Sequence, residues 1–191
     1  MKKQKAKLPQ PDTLIIQQCK KGNAQAFGSV VDMYQDIVRQ LIYRFVFDNT
    51  ITNDLAQTAF IKIWQNINKY KETYTFSTWM YKIVVNTCLD YIKSNKLRET
   101  EVLEAGYEAK SANLEVSVEN KDLVKRIKHM SRQLSAQQRV VFVLKDLQDW
   151  SMEEVSIAMN LSTGAVKSNL YYARKYIREQ VLKLEKLEGK Q

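Results

Sequence analysis

The chain has 191 residues, of which 45% are hydrophobic, only five are Gly and two are Pro, and its formal net charge is +9. This length suits one domain or two small ones, and the abundance of helix formers predicts an all-α fold. No window reaches the apolar length of a membrane helix, and the lysine-rich N-terminus lacks a following apolar run. We therefore expect a cytoplasmic protein without a signal peptide or membrane insertion.

The first half of the chain predicts a compact helical bundle over residues 10–95. Asp12 or Thr13 can cap a short helix through Cys19, and Asn23 can begin a long helix that ends near Phe47. Two further helices are predicted over residues 54–67 and 76–93. A polar loop that contains tyrosines, residues 69–75, separates them.

Residues 96–120 differ from the blocks on either side. They hold six Glu, one Gly and few large apolar residues without a sustained period, so we predict a flexible acidic linker. The net charge is +7 over residues 1–96, −3 over 97–121 and +5 over 122–191. Two basic blocks joined by an acidic stretch fit a polyanion that is bound at two places.

A second small helical domain is predicted over residues 121–185. Helices are expected over 121–132 and 136–147, the latter opened by a capping box of Ser135 and Gln138. A helix-turn-helix follows: Ser151 and Glu154 form another capping box, and Asn160 can end the first of its helices.

Ser162 can cap the second helix of the pair, whose apolar stripe faces inward. The face that remains carries short polar groups near the helix start and cations further along, as a recognition helix in a major groove does. Its residues are Thr163, Lys167, Ser168, Tyr171 and Arg174. The alternative is a helical hairpin whose polar face is only solvated.

Metal and catalytic chemistry have little support in this sequence. Cys19 and Cys88 stand alone and are interpreted as small apolar fillers, and His129 is the one histidine. No ligand cluster, glycine-rich phosphate loop or paired nucleophile and base is visible. We expect no metal, no cofactor and no enzymatic activity.

Five segments together resemble the bacterial RNA polymerase sigma factors of the extracytoplasmic-function class, which keep only regions two and four. Residues 54–64, DLAQTAFIKIW, are similar to the D-L-x-Q-x-x-F-x-x-x-W helix of that family, and 76–86, FSTWMYKIVVN, to its F-x-x-W-L-Y-R-I-A-x-N helix. Residues 134–142, LSAQQRVVF, resemble the opening of region four. Residues 150–155, WSMEEV, and 164–168, GAVKS, resemble its L-S-Y-E-E-I-A and G-T-V-K-S segments.

The resemblance implies a sigma factor that binds core RNA polymerase, directs it to specific promoters and promotes strand opening. The helix over 54–64 would dock on the polymerase clamp helices, with Asp54, Gln57 and Lys62 as candidate contacts. The −10 element would meet the next loop and helix, where cations and flat side chains suit separated strands. Its candidate contacts are Tyr70, Lys71, Tyr74, Lys82 and Asn86.

The helix from Ser162 would then read the −35 element of promoter DNA, through Ser162 and the five residues of its polar face given above. The resemblance also implies an anti-sigma protein as a further partner. A rival interpretation is a stand-alone helix-turn-helix regulator whose N-terminal bundle senses a signal or dimerises. The motifs at 54–64 and 76–86 argue against that regulator.

Overall fold

The structure, a computed structural model, describes residues 9–104 and 130–188, and all the regular secondary structure in those two ranges is helical. Residues 130–133 are helical, a 3₁₀ turn covers Ile67–Lys69 and a π-helical turn covers Val143–Leu147. The longer helices are α1 (Thr13–Lys20), α2 (Ala24–Val46), α3 (Asn49–Asn66), α4 (Phe76–Glu104), α5 (Ala136–Phe142), α6 (Met152–Met159) and α7 (Thr163–Glu188). The predicted all-α class is confirmed.

The first two helices begin where the sequence predicts. The Asp12 side chain accepts a hydrogen bond from the amide of Leu14 at 2.9 Å, and the Asn23 side chain accepts from two amides of the first turn of α2. Gly22 has a φ of 85° in the turn between them, a backbone conformation that an L side chain rarely adopts. These caps set the angle at which α2 leaves α1.

The third helix starts five residues earlier than the predicted residue 54. Phe47 closes α2 in the left-handed conformation, and Asp48 caps α3 by accepting from the amide of Ile51 at 3.0 Å. Thr52, which is buried, donates its hydroxyl hydrogen bond to the Asp48 carbonyl at 2.6 Å. The prediction was wrong because Asp48 and Asn53 are both good caps, and the earlier start places Thr52 in the core.

The core of the first block is built by α2, α3 and α4. Its side chains are at most 2% exposed and include Val30, Tyr34, Val38, Ile42, Phe45, Ile63, Ile67, Phe76, Met80 and Val84. Each such burial contributes roughly 1.5–3 kcal/mol. Burial of Tyr34 raises its pKa, and its hydroxyl donates to the Pro9 carbonyl, which ties the N-terminal segment to α2.

The fourth helix runs on to Glu104, well past its predicted end near Lys93. Its last turns therefore lie in the stretch that was predicted as linker from residue 96. The rest of that predicted linker, His129 and most of the predicted helix 121–132 lie outside the described residues.

The second block opens with the two predicted capping boxes, and both are present. Ser135 and Gln138 exchange side-chain and backbone hydrogen bonds at 3.0 and 3.2 Å, and Ser151 and Glu154 do so at 2.7 and 3.1 Å. Asn160 ends α6 in the left-handed conformation, as predicted. The helix-turn-helix is therefore α6 followed by α7.

The two blocks pack directly against each other. The buried residues of both form one hydrophobic cluster, and the rings of Tyr81 on α4 and Trp150 before α6 meet edge to face at 5.1 Å between centroids. The sequence predicted two domains joined by a linker, and this contact between them was not anticipated.

Candidate nucleic-acid and polymerase interfaces

The recognition helix α7 presents its predicted polar face to solvent. The Ser162 hydroxyl accepts from the amide of Ala165 at 3.2 Å, which caps the helix start. Val166, Leu170 and Ala173 are buried on the opposite side. Four candidate DNA contacts of this helix, Thr163, Lys167, Ser168 and Tyr171, are exposed.

Arg174 lies on the same helix but is already paired. Its guanidinium donates to the two carboxylate oxygens of Asp146 at 2.6 and 2.9 Å, a bidentate arrangement that fixes both side chains. The hydrogen bonds that Arg174 donates to this carboxylate raise its pKa, against a smaller opposing effect of burial. The pair joins α7 to the π-helical turn. Arg174 therefore differs from the four exposed candidates above, because the Asp146 carboxylate competes with DNA phosphate for its guanidinium.

The turn between α6 and α7 is held by two hydrogen bonds between Ser156 and Leu161. The Ser156 hydroxyl donates to the Leu161 carbonyl, and the amide of Leu161 donates back to the Ser156 carbonyl at 3.0 Å. This reciprocal bonding fixes the angle between the two helices, and that angle aims the N-terminal residues of α7 outward.

The loop before α4 divides its tyrosines between core and solvent. Tyr70, predicted as a base contact, is 5% exposed and packs its ring on Phe76 and Trp79 at 5.3 and 5.4 Å. The Tyr70 hydroxyl donates to the Tyr74 carbonyl at 3.0 Å, and the Lys20 ammonium donates to the Tyr70 carbonyl at 2.9 Å. The structure thus makes Tyr70 a support for the loop, because a buried ring has no free face for a base.

Tyr74 is 52% exposed, and Lys71 is exposed as well. Thr75 stands beside them and shares its hydroxyl with those of Ser77 at 3.1 Å and Thr78 at 2.8 Å. These bonds brace the start of α4, where the loop ends. The loop therefore offers the Tyr74 ring and the Lys71 cation to a ligand at the point where α4 begins.

Lys82 and Asn86 lie one turn apart on the same side of α4, as predicted. Both are half-buried rather than fully exposed, whereas Asp90 and Lys93 further along that face are exposed. The side of α4 opposite to them is buried through Met80, Val84 and their neighbours in the first block. Lys82 and Asn86 thus remain on the surface next to the Tyr74 loop.

A groove of about 620 Å³ runs between α2 and α3. Its floor is apolar and includes Phe27 and Trp64, whose rings pack at 4.9 Å between centroids. Ile61, at 50% exposure, stands at the edge of the groove. Polar side chains also line it: Gln35, Arg39, Asn53 and Gln57. An apolar floor with a polar rim is the composition of a protein interface.

The three predicted polymerase contacts do not share this groove. Gln57 lines it, whereas Asp54 and Lys62 are not among its lining residues. Lys62 lies on the other side of α3, near Cys88 of α4: burial raises the pKa of that thiol, and the charge of Lys62 opposes the rise to a smaller extent. Ile61 and residues of α2 also line the groove, and the sequence did not predict them as part of an interface. A large Ile on an otherwise polar face of α3 was the one signal in the sequence for this surface.

The cysteines are structural, as predicted. Cys19 and Cys88 are both free and buried, and burial raises the pKa of Cys88 to about 12. Within residues 9–104 and 130–188, no group of His, Cys, Asp and Glu is arranged to hold a metal ion. Nor does any helix in those ranges have the length and apolar character needed to cross a membrane.

Known families match both blocks of the chain. Residues 30–98 match sigma-70 region 2, and residues 125–177 match sigma-70 region 4. The chain is 32% identical to the ECF RNA polymerase sigma factor SigW of Bacillus subtilis (strain 168), over 87% of this chain and 94% of the relative. It is 30% identical to the ECF RNA polymerase sigma-E factor of Escherichia coli (strain K12), over 89% of this chain and 94% of that factor.

Solved structures share the fold. The structure of CnrH in complex with the cytosolic domain of CnrY aligns with a TM-score of 0.63 at 20% identity and covers 90% of this chain and 97% of that one. The sigma factor RpoE in complex with the anti-sigma factor NepR from Bartonella quintana aligns with a TM-score of 0.62, also at 20% identity, over 81% of this chain and 96% of that one.

Two helical blocks with a helix-turn-helix in the second define an initiation factor of the sigma-70 type. The chain belongs to the extracytoplasmic-function class of RNA polymerase sigma factors. It directs RNA polymerase to promoters and has no enzymatic activity of its own. The region-two match also argues against the stand-alone regulator, because the N-terminal block of that regulator would be a sensing or dimerising bundle and not sigma-70 region 2.

Proposed function

We propose that the groove between α2 and α3 is the surface through which this chain binds core RNA polymerase. The observation that carries this proposal is the exposed Ile61 at the edge of an apolar floor with a polar rim. The resemblance implies the polymerase clamp helices as the partner, and an amphipathic helix binds a groove of this composition through its apolar face. Gln57 stands within the groove to fix the helix in register.

Alanine truncations on one helix test the assignment. The double variant Ile61→Ala and Gln57→Ala should weaken binding to core polymerase by about tenfold or more, because a few anchor residues carry most of the binding energy of an interface. Lys62→Ala, on the other side of α3, is the matched control and should bind within about twofold of the parent. If the double variant and Lys62→Ala lose the same binding affinity for core polymerase, with helix content preserved, the interface does not lie in the groove.

The surface for the −10 element is formed by the Tyr74 loop and the adjoining face of α4. Lys71 and Lys82 supply cations for phosphates, and Asn86 supplies an amide for a base edge. Tyr74 is the exposed ring on which an unstacked base can lie. Tyr70 acts indirectly by holding the Tyr74 carbonyl, so its role is to position the loop.

The surface for the −35 element is the N-terminal half of α7. Ser162, Thr163, Lys167, Ser168 and Tyr171 reach solvent together from the capped end of the helix, which is the end that enters a major groove. Lys167 stands one turn from that end and is assigned to a base edge. Arg174, two turns further on and held by Asp146, is not assigned a base.

We infer further that the chain works in the cytoplasm and is held inactive there by an anti-sigma protein. The Bartonella quintana factor, whose fold this chain shares, was crystallised with such a protein. Stepwise overproduction of the chain in cells tests the inference. Target promoters should stay silent until the factor exceeds its inhibitor and then respond steeply; a response proportional to the amount of factor from the outset would contradict it.

A further inference from the structure

The Tyr74 loop, which runs from Tyr70 to Phe76, gains little order from its own side chains. Tyr70 and Phe76 are buried at its two ends, whereas residues 71–75 between them are all exposed. A segment of exposed side chains has few contacts that oppose its local opening. An unstacked base, however, is read only by groups that keep a fixed geometry. The presentation of Tyr74 therefore depends on what holds the two ends of the loop.

The end of the loop that leads into α4 is held by Gln10. The side-chain amide of Gln10 donates to the Ser77 hydroxyl at 2.7 Å, and the hydroxyls of Ser77 and Thr75 lie 3.1 Å apart. Because the Ser77 hydroxyl accepts from Gln10, its own hydrogen is free to bond to Thr75. Thr75 follows Tyr74 directly and accepts from the amide of Thr78 at 3.3 Å. Ser77 is 3% exposed, so this chain of hydrogen bonds is sheltered from water.

Gln10 is itself fixed by its neighbours. It stands between Pro9 and Pro11, the two prolines of the chain, whose rings limit their φ to about −65°. Pro11 is buried, and the Pro9 carbonyl accepts from the hydroxyl of Tyr34 on α2. This short segment therefore presents Gln10 to Ser77 at little cost in chain entropy.

The other end of the loop is held by Lys20, the last residue of α1. Its ammonium donates to the Tyr70 carbonyl at 2.9 Å and lies 5.4 Å from the centre of the Tyr70 ring. A charge-assisted hydrogen bond and a cation–π contact thus join Lys20 to one residue. The Tyr70 hydroxyl in turn donates to the Tyr74 carbonyl at 3.0 Å. Lys20 therefore acts on Tyr74 through Tyr70.

We propose that Gln10 and Lys20 are positioning residues for the −10 element, which hold the Tyr74 loop at both ends and thereby set the base preference that the loop reads. The proposal rests on the proposed role of this loop in −10 recognition. Neither residue is among the assigned DNA contacts. The match to sigma-70 region 2 begins at residue 30, so both residues come from the segment that precedes the matched domain.

Hydrogen–deuterium exchange of the free, full-length factor tests whether the two residues hold the loop. In Gln10→Ala and in Lys20→Met, the peptide over residues 70–80 should exchange faster than in the parent, because the clamp opposes opening of the loop. Peptides from residues 130–188 should exchange as in the parent. Unchanged exchange over residues 70–80 in both variants would overturn the proposal.

The matched controls are Gln17→Ala and Lys21→Met. They remove side chains of the same two kinds from exposed positions in and directly after α1. Both should leave the exchange of the loop and the −10 preference as in the parent. Lys20→Arg is the conservative variant, and it should retain most of the parental behaviour, because a guanidinium can also donate to the Tyr70 carbonyl and lie over its ring.

Transcription by the reconstituted holoenzyme, from a library randomised at the −10 element with one fixed −35 element, measures the base preference. The ratio of transcripts between two bases does not depend on the fraction of factor that is active, so loss of stability alone leaves the ratio unchanged. A net hydrogen bond changes an equilibrium by about two- to twelvefold. Gln10→Ala and Lys20→Met should therefore lower the preference at one −10 position or more by about that range. Ser77→Ala interrupts the same hydrogen-bond chain, and its effect should not add to that of Gln10→Ala.

Tyr74→Ala separates a failure of this proposal from a failure of the proposed function. If Tyr74→Ala alters the −10 preference while the Gln10 and Lys20 variants keep the parental ratios, the clamp is refuted and the role of the loop stands. If Tyr74→Ala leaves the preference unchanged, the loop does not read the element and the clamp is refuted with it. A uniform loss of transcripts at parental ratios would show that Gln10 and Lys20 serve stability alone, which also contradicts the proposal.

Discussion

Arg174 and Asp146 form an ion pair beside the polar face of α7, and this pair allows a quantitative prediction. The two hydrogen bonds measure 2.6 and 2.9 Å, with the Arg174 side chain 57% exposed and that of Asp146 21% exposed. A pair this exposed stabilises by up to about 1 kcal/mol despite its good geometry. Asp146→Asn should therefore lower the melting temperature by only about 1–4 °C.

The same substitution should have a clear effect on DNA binding. Once freed, Arg174 becomes a further cation near the recognition surface, and each phosphate neutralised steepens the salt dependence by about 0.9. We measure the binding of a −35 DNA fragment at increasing salt concentration, and we expect Asp146→Asn to steepen the salt dependence by one such increment. Arg174→Ala should leave the slope unchanged in the parent and remove the increment in the Asp146→Asn background.

The outcome that would refute this reasoning is specific. If Arg174→Ala lowers the slope by about one in the parent, the guanidinium already binds phosphate in the complex and Asp146 does not restrain it. The stability measurement then still reports the ion pair, so the two roles of Arg174 can be separated.

Three further predictions concern base reading, strand opening and pH. Lys167→Ala should relax the −35 preference at one position, at a cost of roughly 1–3 kcal/mol, in transcription from a randomised library; retained preferences with a weaker salt dependence would make Lys167 a phosphate contact. Lys82→Ala with Asn86→Ala should reduce permanganate reactivity of bubble thymines more than −35 binding, and unchanged reactivity at saturating factor would remove both from the mechanism. Burial raises the pKa of Cys88 to about 12 from 9.0 for the free thiol. Between these two pH values the folded state keeps a proton that the unfolded chain loses, so the free energy of unfolding should fall as the pH rises from 9 to 12. Cys88→Ala should weaken this fall in urea denaturation, and an unaltered pH dependence would show that other groups carry it.

The helices and their caps could be predicted because the signals are local. Asp12, Asn23, Ser135 and Ser151 each bond to amides within three residues, so the cap residue and the apolar repeat after it define the start of a helix. The start of α3 was missed since two candidate caps competed, and only packing of Thr52 in the core decides between them. The continuation of α4 to Glu104 was not predicted either, because the residues after Lys93 are mostly polar and show no apolar repeat.

The sequence could predict which residues share an exposed face of one helix, but not which residues of different segments meet at the site. The exposed face of α7 follows from its apolar stripe, and the structure agrees for Lys167 and Tyr171. Contacts between distant segments leave no periodic signal, which is why the Asp146 partner of Arg174 and the Trp150 partner of Tyr81 were not foreseen. The burial of Tyr70 was not foreseen for a related reason: a tyrosine in a polar loop looks exposed until the rings that cover it are known.

Promoter-specific transcription with purified core RNA polymerase tests the central claim most directly. The parent chain, added to core polymerase and a library of promoters randomised at both elements, should yield transcripts enriched in one −10 and one −35 sequence. The Ile61→Ala and Gln57→Ala variant should yield few transcripts from the same library, with its helix content intact. Absence of any enriched promoter with the parent chain, under conditions where core polymerase accepts another sigma factor, would contradict the account.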